Sequence, residues 1–242
     1  MKDRNASDLS KLEQRLISCI VPVFNGRKFL RAALDSIYAQ TWRPIEVIVV
    51  DDGSTDGTKD VVAEYAGRLV YVRQKNAGQA AARNRGLAIA QGEFVAFLDA
   101  DDLWHPEKLA RQMACFMARP ALEICITYEK HFWEKESEDE LKRLTSQNHP
   151  WIREGLGLIC QTLLARRHVF DTVGGFDPAL RRGEDTDWFA RTEERGIARE
   201  ILPEILVYRR RHNANLTQAD ARGGWLEVVA AKLQRRQNRT SA

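Results

Sequence analysis

Three carboxylates follow an apolar run in the middle of the chain. Residues 93–98 have the β-branched and aromatic composition of a buried strand, and Asp99, Asp101 and Asp102 come directly after it. Carboxylates held close together repel one another, and a divalent cation relieves that repulsion. Such oxygen ligands suit Mg²⁺ or Mn²⁺. The alternative is an acidic cap for a helix after Pro106, and this segment alone favours neither.

A second acidic pair, Asp51 and Asp52, follows the apolar run 45–50. A carboxylate there can accept a hydrogen bond from the N3–H group of uracil or thymine, which cytosine lacks. The alternative is a helix cap and turn. The residues of segment 54–56 already suit that purpose, so we expect the Asp pair to have no structural role.

A third acidic pair, Glu184 and Asp185, stands at the start of a predicted helix, 185–195. A carboxylate can act as a general base that takes a proton from an attacking hydroxyl group, and either of these two could do so. The alternative is a favourable interaction with the positive end of the helix, which explains acidic residues there but does not require two adjacent ones.

Strands and helices alternate through the first hundred residues. Strands are predicted at 17–23, 45–50, 69–72 and 93–98, with helices at 27–40, 59–66 and 77–91 between them. This alternation predicts an α/β fold with a mostly parallel sheet and helices on both faces. The polar clusters of this half, at 25–26, 51–56, 76 and 99–102, all follow carboxyl ends of strands, the edge of such a sheet where ligands bind.

The pattern is less regular after Pro106. Helices are predicted at 107–118, 166–172, 185–195 and 225–236, and strands at 122–128, 159–165 and 206–209. The mixed-charge run 134–143 is interpreted as a solvated helix or mobile loop, and 148–157 as an acceptor-side loop. Because no repeat or linker is evident, we expect a single domain over residues 1–242.

Composition excludes several classes of protein. The formal net charge of +3 gives no case for nucleic-acid binding. The four cysteines are widely spaced, which argues against a zinc site and favours core thiols in a reducing compartment. No apolar signal segment or membrane span is evident, so we expect a cytoplasmic protein. Peripheral association with the inner face of a membrane, through the basic tail, stays open.

Six motifs along the chain resemble, in their types and order, those of the family-2 glycosyltransferases of the GT-A fold. They are VPVFNG at 21–26, VDDGSTD at 50–56, NAG with ARN at 76–84, LDADD at 98–102, GGFD at 174–177 and GEDTDW at 183–188. The resemblance spans about residues 17–215. It implies a Rossmann-like nucleotide-sugar-binding half at 17–102 and an acceptor-binding half at 103–215, followed by a C-terminal helix and basic tail at 216–242.

The resemblance implies inverting transfer of a sugar, with Mn²⁺ or Mg²⁺. The donor is a nucleotide-diphosphate sugar of UDP or TDP type, and the acceptor is a carbohydrate or lipid-linked hydroxyl compound, in polysaccharide or glycoconjugate biosynthesis. Asp185 is expected to be the base, with Glu184 as alternate. The expected donor-binding residues are Pro22, Val23, Asn25, Asp52, Asn76, Arg83, Asp99, Ala100 and Asp101. The expected metal-binding residues are Asp101, Asp99 and His212.

Three further expectations accompany the resemblance. Asn76 and Arg83 are seven residues apart and fall on similar faces if their helix begins that early. Trp151 and Trp188 are candidates for stacking on an acceptor sugar, although core packing explains Trp188 equally well. The arginines of segment 209–211 either meet the diphosphate or face water.

Two alternatives to the enzyme remain open. The first is a catalytically inactive nucleotide-binding or scaffold protein of the same fold, which the presence of all the acidic motifs disfavours. The second is a nucleotidyltransferase, which should carry a Gly-rich, basic loop after the first strand. Segment 23–27 lacks that glycine density.

Overall fold

A computed structural model describes residues 15–215, and the predicted helix 225–236 and basic tail lie outside the described residues. Within this part of the chain the strands are β1 Ile17–Val23, β2 Ile45–Asp51, β3 Val70–Arg73, β4 Phe94–Phe97, β5 Leu103–Trp104, β6 Ile124–Trp133, β7 Gly155–Leu156, β8 Leu163–Arg166 and β9 Arg199–Arg211. The α-helices are α1 Leu30–Tyr38, α2 Thr58–Ala63, α3 Gln79–Ile89, α4 Lys108–Ala118, α5 Glu138–Ser146, α6 His168–Val173 and α7 Glu184–Glu194.

The strands form one sheet in the order β3-β2-β1-β4-β8-β6-β9-β5, with β7 paired to β6. The predicted α/β architecture is confirmed, and β1 to β4 are parallel as expected. Beyond β4 the sheet is mixed: β6 and β9 are parallel, whereas β8 is antiparallel to both β4 and β6, and β5 is antiparallel to β9. Antiparallel pairs need no crossover helix, and apolar runs carry no information on strand direction.

The core lies on both faces of the sheet. Side chains of β1 alternate between faces, so Cys19 and Val21 pack in the layer that contains α1 and α4, whereas Ile20 packs in the layer with α3, α6 and α7. All seven residues of β1 are buried, which is expected of a parallel strand covered on both sides. The carboxyl ends of β1, β2 and β4 therefore meet at one edge between the two layers.

Helix α3 approaches β1 unusually closely. A Cβ atom added at Gly86 would lie 2.4 Å from the Cγ2 atom of Ile20. The buried faces of α3 and β1 therefore fit only because position 86 carries no side chain. This close approach places the N-terminal half of α3, with Arg83, directly behind the carboxyl end of β4.

Several elements differ from the sequence prediction, and three of them bear on the site. Strand β9 has thirteen residues instead of four, because it pairs with β6 along almost its whole length and its arginines find carboxylate partners. The first part of the predicted strand 159–165 is a 3₁₀ turn at Cys160–Thr162. Segment 134–143 is ordered in a 3₁₀ turn and helix α5, and Leu144 anchors that helix in the interior. Among residues 15–215, none of the helices is both long and apolar enough to cross a membrane.

Candidate active site

The acidic cluster lies directly after β4. One carboxylate oxygen from each of Asp99, Asp101 and Asp102 lies within 4.8 Å of the others. The alternative, an acidic cap for the helix after Pro106, is not observed, since α4 begins after Glu107 without a side-chain cap hydrogen bond. The three carboxylates are held by contacts from distant parts of the chain instead.

Each carboxylate of the cluster has different partners. Asp99 accepts hydrogen bonds from Gln79, Arg83 and Gln161. The buried Asp102 accepts a 2.8 Å hydrogen bond from the backbone N–H of Arg210 and a 3.1 Å bond from Gln161. Burial, with the neighbouring Asp101 carboxylate as a further cause, raises the pKa of Asp102. Asp102 therefore belongs mainly to the supporting structure of the cluster.

Asp101 is the most accessible member of the cluster, with 31% of its side chain exposed against 5% for Asp102. The Nε2 atom of His212 lies 3.1 Å from its Oδ2 atom, and Asn215 donates a 3.1 Å hydrogen bond to the same oxygen. This group of side chains fits a divalent cation, because the clustered aspartates offer hard oxygen ligands and His212 offers one imidazole nitrogen. The residues that could hold the cation are Asp99, Asp101 and His212.

The Asp51–Asp52 pair has a structural role, so the expectation that it lacks one is wrong. Asp51 accepts hydrogen bonds from the Ser54 backbone and the Tyr71 hydroxyl at 2.7 and 2.6 Å. Asp52 accepts from the backbone N–H groups of Ala77 and Gly78 at 2.8 Å each, and also from a glutamine side chain. Sequence reasoning missed the Asp52 bonds because their donors belong to the loop after β3, and it missed the Tyr71 bond because Tyr71 lies on β3 itself.

Loops after β1, β2 and β4 meet beside the cluster. Asn25 adopts a positive φ of 54°, and its side-chain oxygen accepts the backbone N–H of Thr55 at 2.8 Å. Pro22 and Val23 are buried at the end of β1, and the carbonyl of Val23 accepts the backbone N–H of Asp52 at 2.8 Å. Ala100 is half-buried. Pro22 and Val23 can therefore meet a ligand only through their backbones.

The expected common face for Asn76 and Arg83 is wrong. Helix α3 begins at Gln79, so Asn76 lies in the preceding loop, where it is exposed. Arg83 is 2% exposed. This burial means that Arg83 does not form a surface ion pair.

Arg83 joins two acidic segments. Its Nη2 atom lies 2.8 Å from Asp99 Oδ1, and its Nη1 atom lies 2.5 Å from Glu184 Oε1 at the start of α7. Burial raises the pKa of Glu184, and the Arg83 charge opposes that rise. The structure thus brings the strand-end carboxylates and the Glu184–Asp185 pair together.

Asp185 is half-buried, whereas its neighbour Glu184 is buried, and its Oδ1 atom accepts a hydrogen bond from the Thr186 backbone N–H at 2.7 Å. Burial raises the pKa of Asp185, and the nearby Arg83 charge again opposes the rise. A carboxylate with a raised pKa is a stronger proton acceptor than an ordinary aspartate.

The two tryptophans lie in different places. Trp188 is completely buried against Phe170, with ring centroids 4.6 Å apart, so the expectation that it contacts an acceptor is wrong and the core-packing alternative holds. Trp151 is half-buried beside β6, stacked on His131 at 5.6 Å, with the Arg211 guanidinium 4.0 Å from its ring centroid. Trp151 remains a candidate acceptor contact.

The arginines of segment 209–211 neither face water nor reach freely into the site. Arg209 lies 3.6 Å from a Glu129 oxygen and 4.0 Å from Asp102. Arg210 donates to the backbone carbonyl of Asp101 at 2.8 Å. These contacts attach strand β9 to the acidic cluster, so the arginines have structural partners.

Sequence reasoning missed three supporting residues: Gln79, Gln161 and Asn215. Of these, Gln161 had a detectable signal, since it is a polar residue within the apolar run 159–165. It is 2% exposed and bridges Asp99 and Asp102. Gln79, at the start of an Ala-rich helix, and Asn215, in a polar segment, carry no local feature that distinguishes them from surface residues.

Comparisons with known proteins agree with this arrangement. Residues 18–174 match the family model described as glycosyl transferase family 2. A glycosyltransferase of Nostoc sp., alr2836, is 34% identical over 216 residues, which cover 82% of this chain and 66% of that protein. The chain therefore spans just under two thirds of this relative's length.

Solved structures share the fold. S. aureus TarS 1–349 in complex with UDP-GlcNAc matches with a TM-score of 0.66 and 24% identity, over 82% of this chain and 59% of that one. The mannosyltransferase PcManGT from Pyrobaculum calidifontis, in complex with GDP-Man and Mn²⁺, matches with a TM-score of 0.62 and 22% identity, over 90% and 61%. This chain belongs to glycosyltransferase family 2 and has the GT-A fold.

Proposed function

We propose that this chain transfers a sugar, with inversion, from a nucleotide-diphosphate sugar of UDP or TDP type to a hydroxyl group. The acceptor is a carbohydrate or lipid-linked compound of polysaccharide or glycoconjugate biosynthesis. The observation that carries the proposal is the contact of Arg83 with both Asp99 and Glu184, because it sets the strand-end carboxylates beside Asp185. UDP-GlcNAc in the TarS complex supports a donor of this class.

The donor half uses the loops after β1, β2 and β4. Asn25, Asn76 and Ala100 are the proposed donor contacts in the loops at the carboxyl-end edge of the sheet. The backbone of Pro22 and Val23, at the end of β1, is proposed to complete the donor site. Asp52 is the proposed partner for the base: it accepts three protein hydrogen bonds, and a carboxylate has about four lone-pair sites, so one remains for an N3–H donor.

Asp99, Asp101 and His212 are the proposed cation ligands, and the Mn²⁺ complex of PcManGT supports this assignment. When bound, Mn²⁺ or Mg²⁺ would stabilise the negative charge that develops on the departing diphosphate. Asp185 takes the proton of the acceptor hydroxyl as that oxygen attacks from the face opposite the leaving group. Trp151 offers an aromatic face suited to the C–H side of an acceptor pyranose.

The test is donor binding and turnover by the purified chain. Thermal-shift and calorimetric titrations with UDP, TDP, GDP and their common sugar conjugates, each with and without Mn²⁺, should show binding that needs the cation for full affinity. Slow donor hydrolysis should release a sugar of inverted anomeric configuration, detected by NMR.

Three outcomes separate the alternatives. Binding without any donor turnover or transfer, even with a wide acceptor panel, would indicate the inactive scaffold of the same fold. Retained configuration in the product would contradict the inverting mechanism. A Trp151→Ala variant should keep donor hydrolysis and lose transfer, and loss of both would remove Trp151 from the acceptor side.

A further inference from the structure

Arg83 has the environment of an internal connector. Its side chain is 2% exposed, and the two Nη atoms are used by carboxylates from two separate segments, Asp99 after β4 and Glu184 at the start of α7. The Nε atom is also buried and has no hydrogen-bond partner among the described residues. The guanidinium is therefore almost entirely closed off from solvent.

The carboxylates around Arg83 explain why a positively charged side chain occupies this position. Asp99 accepts hydrogen bonds from the neutral amides of Gln79 and Gln161 and from the guanidinium of Arg83. Burial alone would push Glu184 toward its neutral form. A planar guanidinium can hold two carboxylates in one fixed geometry, whereas an ammonium group is a single point charge.

We propose that Arg83 is a positioning residue that ties the Asp99 carboxylate to Glu184 and so sets the distance between the cation-binding cluster and the base Asp185. It acts through these two carboxylates and does not contact the donor. This inference rests on the proposed function, and it replaces the direct donor contact that the family resemblance implies for Arg83.

The geometry gives the proposal a specific consequence. If Arg83 holds Asp99 in place, loss of the guanidinium weakens cation binding. Mutation of a residue that orients a metal ligand typically lowers metal affinity or activity 10- to 100-fold. If Glu184 is held as well, the start of α7 shifts and Asp185 loses its alignment with the donor. Binding of nucleotide without cation, in contrast, does not depend on Arg83.

The experiment compares Arg83→Lys, Arg83→Met and the double variant Arg83→Met/Glu184→Met with wild type. Arg85→Lys is the matched control, since Arg85 is exposed on the same helix. The measurements are the melting temperature, the affinity for Mn²⁺ alone, the affinity for UDP without Mn²⁺, and turnover of the best donor. The double variant guards against misfolding, because replacing both partners of a buried ion pair by apolar residues is tolerated better than removing one.

We expect Arg83→Lys and the double variant to melt close to wild type, to bind Mn²⁺ about 10-fold more weakly and to turn over donor about 10- to 100-fold more slowly. Their metal-free UDP affinity should stay within about 2-fold of wild type. The proposal is overturned if metal-free UDP affinity falls as far as Mn²⁺ affinity, which indicates a donor contact. It is also overturned if the double variant regains wild-type Mn²⁺ affinity and turnover, which indicates that Arg83 merely neutralises Glu184.

Failure of this proposal is distinguishable from failure of the proposed function. If wild type binds neither Mn²⁺ nor any nucleotide sugar, the function is wrong. If wild type binds and turns over donor while the Arg83 variants behave like Arg85→Lys, the function stands and the positioning role is wrong.

Discussion

Gln161 donates its side-chain amide to Asp102 over 3.1 Å in the interior of the protein, 59 residues away along the chain. The same amide nitrogen also donates to Asp99. A neutral donor placed between two carboxylates lowers their mutual repulsion without competing for a cation. Gln161 is therefore part of what keeps the acidic cluster compact when no cation is bound.

Gln161→Met removes this donor at similar side-chain length. We expect the free energy of unfolding to fall by about 1–3 kcal/mol, the cost of leaving a buried polar group without a partner. Urea denaturation without added metal measures it. Gln79→Met is the control, because Gln79 is half-buried and its side-chain amide donates to a single carboxylate, Asp99, among the described residues. Equal losses in both variants would contradict the bridging role of Gln161.

Asp101 and Asp102 should respond differently to neutralisation. Asp101→Asn is expected to keep the wild-type melting temperature and to lose most of the rise that Mn²⁺ with UDP produces, because Asp101 is the accessible carboxylate. Asp102→Asn should lower the melting temperature and keep the Mn²⁺ response. Thermal-shift titration compares the two, and the reverse pattern would make Asp102 the principal cation ligand.

Asp185→Asn should separate catalysis from binding. We expect transfer to fall about 10²-fold or more, the usual scale for a lost general base, with UDP affinity near that of wild type. Steady-state kinetics and calorimetry measure the two quantities. Asp171→Asn, an exposed site on α6, is the control. If UDP affinity collapses in Asp185→Asn, the residue contacts the donor or supports the fold.

Lys108 is a buried amine that should make stability depend on pH. Its side chain is 0% exposed, and burial lowers its pKa from 10.5 to about 7. Between pH 7 and 8.5 the unfolded chain therefore binds more protons than the folded one, so stability rises with pH, by at most about 1.4 kcal/mol per pH unit from this group.

The Lys108→Met variant tests this dependence. Its free energy of unfolding should rise less steeply than that of wild type from pH 7 to 8.5, as measured by urea denaturation at several pH values. The window stays below pH 9 because burial raises the pKa of Cys19 to about 12, and that group has the opposite effect at higher pH. Identical slopes would show that Lys108 stays protonated in the folded protein.

Gly86→Ala tests the close packing of α3 on β1. Alanine favours a helix by about 1 kcal/mol, but its Cβ atom would lie 2.4 Å from Ile20. Overpacking of this kind costs about 1–3 kcal/mol, so we expect net destabilisation. Gly155→Ala has open space around the new Cβ and is the control. Stabilisation by Gly86→Ala would show that the helix moves away freely.

Apolar periodicity was sufficient for the parallel half of the fold. The strand at residues 17–23 and a helix within the predicted range 27–40, observed at Leu30–Tyr38, follow from which residues are apolar, a local property of the sequence. The long strand β9 could not be predicted in this way. Its polar residues 208–211 are stabilised by partners on β6 and in the acidic cluster, which lie far away in the sequence.

The candidate site residues also divide into those that local sequence identifies and those whose role depends on residues distant in sequence. Asp99, Asp101 and Asp102 were identifiable because carboxylates after a buried strand are unusual in themselves. Whether Trp188 meets a ligand or the core depended on how α7 packs against α6, which no local pattern records.

The sequence by itself determined the alternation of elements, the strand-end carboxylates and the family motifs, because each depends on residue types at short spacing. Only the tertiary structure decided the partners of Arg83, Gln161 and Asp102. A side chain's burial and hydrogen bonds depend on segments that the fold brings together over 16 to 108 positions of sequence, and those distances carry no local signal.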